Sequence, residues 1–92
     1  MIKIYYRTNE AIAKDPIAFV APEDGLYKEG YEFVTELGDV SLEEVFRMMN
    51  VVDGDELPVE LKVRSMMPGD VVDEDGDVWF CAGTGWEETT WL

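Results

Sequence analysis

After Arg64 the chain contains no Lys, Arg or His, and the same stretch carries Asp70, Asp73, Glu74, Asp75, Asp77, Glu87 and Glu88. Acids at this density without apolar residues leave a chain disordered. Here they are threaded among Val71, Val72, Val78, Trp79, Phe80, Trp86 and Trp91, residue types that suit half-buried strands. The segment must therefore fold with carboxylates at its turns and outer faces and with apolar side chains between them. A folded, strongly negative surface repels nucleic acid and anionic lipid. It favours basic protein surfaces, including those that normally hold nucleic acid.

The whole chain fits this picture. Its 92 residues make one small domain, 1–92, with 21 acidic and 7 basic side chains and a formal charge of -14. A hydrophobic share of 47% is ordinary for a globular domain and allows a core. Self-repulsion opposes folding, so salt is expected to stabilise the protein. A halophilic origin is an alternative source of such acidity. Cys81 is the only cysteine, which rules out an internal disulfide and fits a reducing cytoplasm. With no His in the chain and acids nearby, its thiol is expected to be structural, not nucleophilic. Lys3 interrupts the first apolar run, so no signal peptide is expected. No apolar stretch approaches the roughly 20 residues that span a bilayer.

Periodicity predicts an α+β fold, a mostly antiparallel sheet with one main helix packed on one face. Met1 to Arg7 reads as a strand, Thr8 to Asp15 as a short helical turn ended by Pro16, and Ile17 to Val20 as a second short strand. Pro22 to Gly25 reads as a turn and Leu26 to Gly30 as an exposed connection. Tyr31 to Leu37 alternates as a strand with Tyr31, Phe33, Thr35 and Leu37 on one side. Ser41 and Glu44 form a capping box for a helix to Asn50. Its apolar stripe is Leu42, Val45, Phe46 and Met49, with Glu43 and Arg47 paired outside. Val59 to Val63 alternates as a further strand. Pro68-Gly69-Asp70 is a turn, and Asp75-Gly76 joins Val71-Val72 to Val78–Ala82 as a hairpin. Trp86 to Trp91 reads as a last strand. Whether the first 30 residues join the sheet stays open.

The motifs that carry chemistry are weak. Asp73, Asp75 and Asp77 flank Gly76, but an EF-hand loop needs Gly at its sixth position and Glu at its twelfth. Counted from Asp73, the twelfth position is Thr84. Gly83-Thr84-Gly85 is too short for a phosphate loop and lacks its Lys. No His and one Cys disfavour a transition-metal site. The carboxylates have no pocket motif to split their pKa values. The expectation is a non-enzyme with no cofactor and no bound metal. The three tryptophans divide between core filler and interface anchors, with Trp91 the best candidate for exposure. The pairs Met48-Met49 and Met66-Met67 read as core and edge filler. The acidic array is either a solvated face or a mimic of nucleic acid. Alternate residues on a strand face lie about 6.6 Å apart. That spacing suits Lys and Arg groups arranged for a phosphate backbone.

Arg64-Ser65-Met66-Met67-Pro68-Gly69-Asp70-Val71-Val72, followed by Asp75-Gly76, Cys81 and Gly85-Trp86, resembles the C-terminal half of a group of small phage, plasmid and mobile-element proteins. That group carries an Arg-Ser pair, a Ser-x-Gly-Asp-Val-Val turn and strand, an Asp-Gly hairpin and a closing Gly-Phe or Gly-Trp. The resemblance spans about residues 31–88. Met67 and Pro68 stand where the group has Ser and an aliphatic residue, and the first 30 residues match no part of it. The resemblance implies a mobile-element origin and carries over no catalytic residue. By analogy of size, charge and origin, it implies an anti-CRISPR or anti-restriction inhibitor of host defence. Its partner would be the basic surface of a nucleic-acid-binding host complex in the host cytoplasm, with no direct contact to nucleic acid or membrane. The candidate contact residues are Asp53, Asp55, Glu56, Glu60, Asp70, Asp73, Glu74, Asp75, Asp77, Trp86, Glu87, Glu88 and Trp91. The alternative is a small accessory or regulatory domain of a mobile element whose acidity serves solubility.

Overall fold

A computed structural model describes residues 1–15, 21–49, 66–83 and 85–92. The predicted strands at Ile17–Val20 and Val59–Val63, the helix end at Asn50, and the candidates Asp53, Asp55, Glu56 and Glu60 lie outside those residues. The elements are β1 (Ile2–Arg7), α1 (Asn9–Lys14), a 3-10 turn (Lys28–Gly30), β2 (Tyr31–Leu37), α2 (Leu42–Met49), β3 (Val71–Glu74), β4 (Asp77–Ala82) and β5 (Gly85–Thr89). The five strands form one sheet in the order β2-β1-β3-β4-β5, with every adjacent pair antiparallel. This is the α+β architecture that the periodicity predicts. Among the described residues no helix is long and apolar enough to cross a membrane.

β1 settles the question about the N-terminal residues: it lies inside the sheet, between β2 and β3. Its alternation divides between the two faces. Ile2, Ile4 and Tyr6 join Leu37, Val72 and Cys81 in a core closed by Val45 and Met49 of α2. Tyr5 lies on the opposite face, against Val71, Val78, Phe80 and Leu26.

Two helix starts follow their capping residues. Thr8 Oγ1 accepts from the Ala11 amide at 3.1 Å, and Ser41 Oγ accepts from the Glu44 amide at 3.2 Å. The Glu44 carboxylate, however, binds Arg47 at 2.6 and 3.2 Å. The expected pair of Glu43 with Arg47 is thus replaced by an i,i+3 pair, and Arg47 holds the Glu44 carboxyl below its usual range. Phe46 departs from the predicted stripe. It is 41% exposed, and Met48 takes its place as a half-buried residue against the core.

Two further predictions are corrected. β2 does not keep its apolar residues on one side. Ile4 pairs with Thr35 but Tyr5 pairs with Phe33, so Val34 is an extra residue in the ladder. A bulge reverses the alternation beyond it. Leu37 and Val34 therefore serve the α2 core, whereas Tyr31 packs on the opposite face and Phe33 meets Tyr5 edge-on there. The segment after Gly25 is not wholly exposed either. Leu26 is buried and forms a parallel bridge with Trp91, donating to Thr90 O and accepting from the Leu92 amide, both at 2.8 Å.

Gly25 makes that close approach feasible. Its φ is +116°, and a Cβ there would stand 2.8 Å from the Thr90 carbonyl oxygen. Both the dihedral and the space exclude a side chain. Gly25→Ala is expected to cost about 2–3 kcal/mol, measured by urea denaturation. The equivalent change at Gly38, which has nothing within 4 Å, should shift stability by less than about 0.5 kcal/mol.

Candidate functional site

The acids after Arg64 fall into three groups. Asp70 belongs to the interior: it is fully buried. Its Oδ1 accepts from the Arg7 amide at 3.0 Å and its Oδ2 from the Met67 amide at 2.9 Å. Its own carbonyl accepts from the Cys81 amide at 2.8 Å. The carboxylate thus ties the end of β1 to the Pro68-Gly69 turn, while the Asp70 backbone bonds to β4. Its position after a Pro-Gly turn suggested a solvated acid. Two backbone amides, from β1 and from the turn preceding Asp70, meet the carboxylate instead, as burial of a charge requires. It presents no charge to a partner.

Asp73 and Glu87 lie on the face opposite α2, as their pairing with Val78 and Phe80 shows. Both are engaged within the molecule. Asp73 Oδ1 accepts from the Gly76 amide at 2.9 Å, and its Oδ2 accepts from the Trp91 indole N–H at 3.0 Å. Glu87 Oε2 accepts from the Ala21 amide at 2.7 Å. These two carboxylates brace the hairpin turn, Trp91 and the backbone at Ala21.

The remaining acids point outward. Glu74 and Asp77 are direct cross-strand partners, and Glu74 also pairs with Ile2. Glu88 pairs with Trp79. These pairings put all three acids on the α2 side of the sheet, because Ile2 and Trp79 belong to the α2 core. Asp75 occupies the tip, at φ +51°, followed by Gly76 at +102°. Two successive residues of positive φ make the tight hairpin turn that an Asp-Gly pair selects. Asp77 and Asp75 are exposed, Glu88 is exposed and Glu74 is partly so.

The sequence missed one member of this surface. Asp39, in the connection from β2 to α2, lies 3.5 Å from the Met1 amino nitrogen, which is also 3.2 Å from the Asp75 carboxylate. The two acids are 36 positions apart in the chain and reach the same end of the sheet. No local signal marks Asp39, since its placement depends on the pairing of β1 with both β2 and β3. Among the described residues, no group of three or more Asp, Glu or Cys is placed to hold a metal ion.

The aromatic candidates also divide. Trp91 is half-buried, contrary to the expected exposure. Its ring meets Tyr5 edge-on at 5.2 Å and Tyr31 at 5.5 Å, and Lys28 Nζ sits 5.4 Å from its centroid. Trp86 lines a groove of about 370 Å³ between α2 and the β4–β5 end, with Glu43, Phe46, Cys81, Ala82, Gly83 and Gly85. Cys81 at its base is buried. Burial and the Asp70 charge push its thiol up to about 11, so it is a poor nucleophile at neutral pH.

No protein-family model matches the chain, and no curated protein or solved structure matches it.

Proposed function

We propose that this protein is a non-enzymatic inhibitor of phage type, which blocks the basic nucleic-acid site of a host defence complex by acidic mimicry. The observation that supports the reading is the gathering of Asp39, Glu74, Asp75 and Asp77 at one end of the sheet, with Glu88 on the same face as Glu74 and Asp77. Directly opposed strand residues stand about 5 Å apart, and like charges there oppose folding. Such an arrangement is useful when a partner supplies the cations. Rigid, closely spaced carboxylates on a short hairpin can meet Lys and Arg groups that otherwise bind phosphates. Association would be fast and would weaken with salt, as DNA binding itself does. The resemblance to mobile-element proteins points to a defence complex, of CRISPR or restriction type, as the partner class.

The test is a quadruple variant, Asp39→Lys, Asp75→Lys, Asp77→Lys and Glu88→Lys, checked for its fold by circular dichroism. DNA binding by a CRISPR or restriction complex is then measured with and without it. Loss of inhibition by roughly 100-fold or more is expected. Undiminished inhibition by the folded variant overturns the mimicry.

The groove favours a second reading. A small accessory domain of a mobile element would bind through Phe46 and Trp86, with acidity serving solubility. Its capture of a partner would resist salt and fail with Phe46→Ser, whereas mimicry predicts the reverse.

A further inference from the structure

We propose that the outer face of Trp91 is a seat for an arginine side chain of a basic protein partner, and that Lys28 holds this seat in the free protein. The inference rests on the reading of the partner as basic, and adds a specific contact to it. Three features argue for a built seat. The ring is fixed: its indole N–H is bonded to Asp73 at 3.0 Å. Tyr5 and Tyr31 meet it edge-on, at interplanar angles of 75° and 74°. A ring held this way loses little freedom on binding. The seat already accepts a cation, because Lys28 Nζ lies 5.4 Å from the ring centroid.

The third feature is position. Asp73 carries both the Trp91 contact and the Gly76 contact of the hairpin turn. The ring is thereby coupled to the same hairpin that displays Asp75 at its tip. A basic element reaching Asp75 can set one side chain on the indole. Lys28 is exposed, and a cation over an aromatic ring at an exposed site contributes about 0.5–1 kcal/mol. Such a contact yields readily to a competitor. Arginine is the fitting one, because its planar, weakly hydrated guanidinium stacks on an aromatic face better than an ammonium does.

The probes are an arginine nonapeptide and a lysine nonapeptide at low salt. The readouts are peptide affinity and the indole N–H resonance of Trp91, assigned with a Trp91→Phe variant. The arginine peptide is expected to shift that resonance more than the lysine peptide does. Lys28→Gln is compared with Lys14→Gln, which removes the same charge from the exposed end of α1. Lys28→Gln should raise affinity for the arginine peptide by about 2- to 5-fold more than Lys14→Gln does. Binding that leaves the Trp91 resonance unmoved, with equal effects of the two Gln variants, overturns the seat and leaves the acidic-surface reading standing. Absence of binding by both peptides overturns both. The Gln variants alter exposed side chains, so the comparison does not depend on a core substitution.

Discussion

Asp70→Ala is expected to destabilise the domain by about 3–5 kcal/mol, the range seen when one partner of a buried charged contact is removed. The carboxylate is fully buried and accepts from the amides of Arg7 and Met67. Truncation leaves two N–H groups in the interior without their acceptor, each at about 1–3 kcal/mol. It also removes the negative charge near Arg7, which is 8% exposed. Domains of this kind are stable by only about 5–15 kcal/mol, so most of the margin is at stake. Asp70→Asn keeps one acceptor oxygen but turns an amide NH2 toward a backbone donor. It should fall between wild type and Asp70→Ala. Asp77→Ala, a change at an exposed residue, should stay within about 0.5 kcal/mol. Urea denaturation of the three variants is the measurement. Equal stability of Asp70→Ala and Asp77→Ala would show that the Asp70 carboxylate is not the tie between β1 and the Pro68-Gly69 turn.

Alkaline pH should destabilise the protein over two overlapping windows, traceable to two acidic groups close to Asp70. Burial and Asp70 raise the Cys81 thiol from 9.0 to about 11. Burial, opposed by Arg7 and reinforced by Asp70, raises the Tyr31 phenol from 10.0 to about 12. The Tyr31 hydroxyl also donates to Gly69 O at 2.7 Å, which keeps the proton in the folded state. In both cases the folded pKa lies above the unfolded one. The stabilisation is therefore complete below pH 9 and is lost as pH rises, because the unfolded chain releases these protons first. Cys81 governs the window from pH 9 to about 11, and Tyr31 the window from pH 10 to about 12. With solvent screening of these partly accessible groups taken into account, each contributes on the order of 1–2 kcal/mol across its window. Melting temperature against pH is the measurement. Cys81→Ala should flatten the lower window and Tyr31→Phe the upper one. An unchanged slope in both variants would place the alkaline transition elsewhere.

Much of the local structure was legible because it depends on neighbours in the chain. The Asp75-Gly76 pair specified its hairpin by the positive φ that both residues adopt. Ser41 capped its helix as its type prefers. The β-branched and aromatic run from Ile2 gave a strand. What misled the reading were residues whose surroundings come from distant segments. Trp91 lies at the end of β5 and looked exposed, yet Tyr5, Tyr31 and Asp73 reach it from three other strands. Leu26 sat in a polar connection, yet the backbone near Thr90 and Leu92 encloses it.

The candidate site shows the same division. Acid count, turn chemistry and strand propensity are all local, and they suffice to make the C-terminal segment a negatively charged hairpin. Which acids form a surface depends on how distant strands pair. Side chains alternate with a period of two along a strand, so register alone sends Glu74, Asp77 and Glu88 to one side and Asp73 and Glu87 to the other. Where β1 enters the sheet decides that Asp70 is buried and that Asp39 joins Asp75. A charge pattern along the chain states how many carboxylates there are. The pairing of strands far apart in sequence states which of them face solvent together.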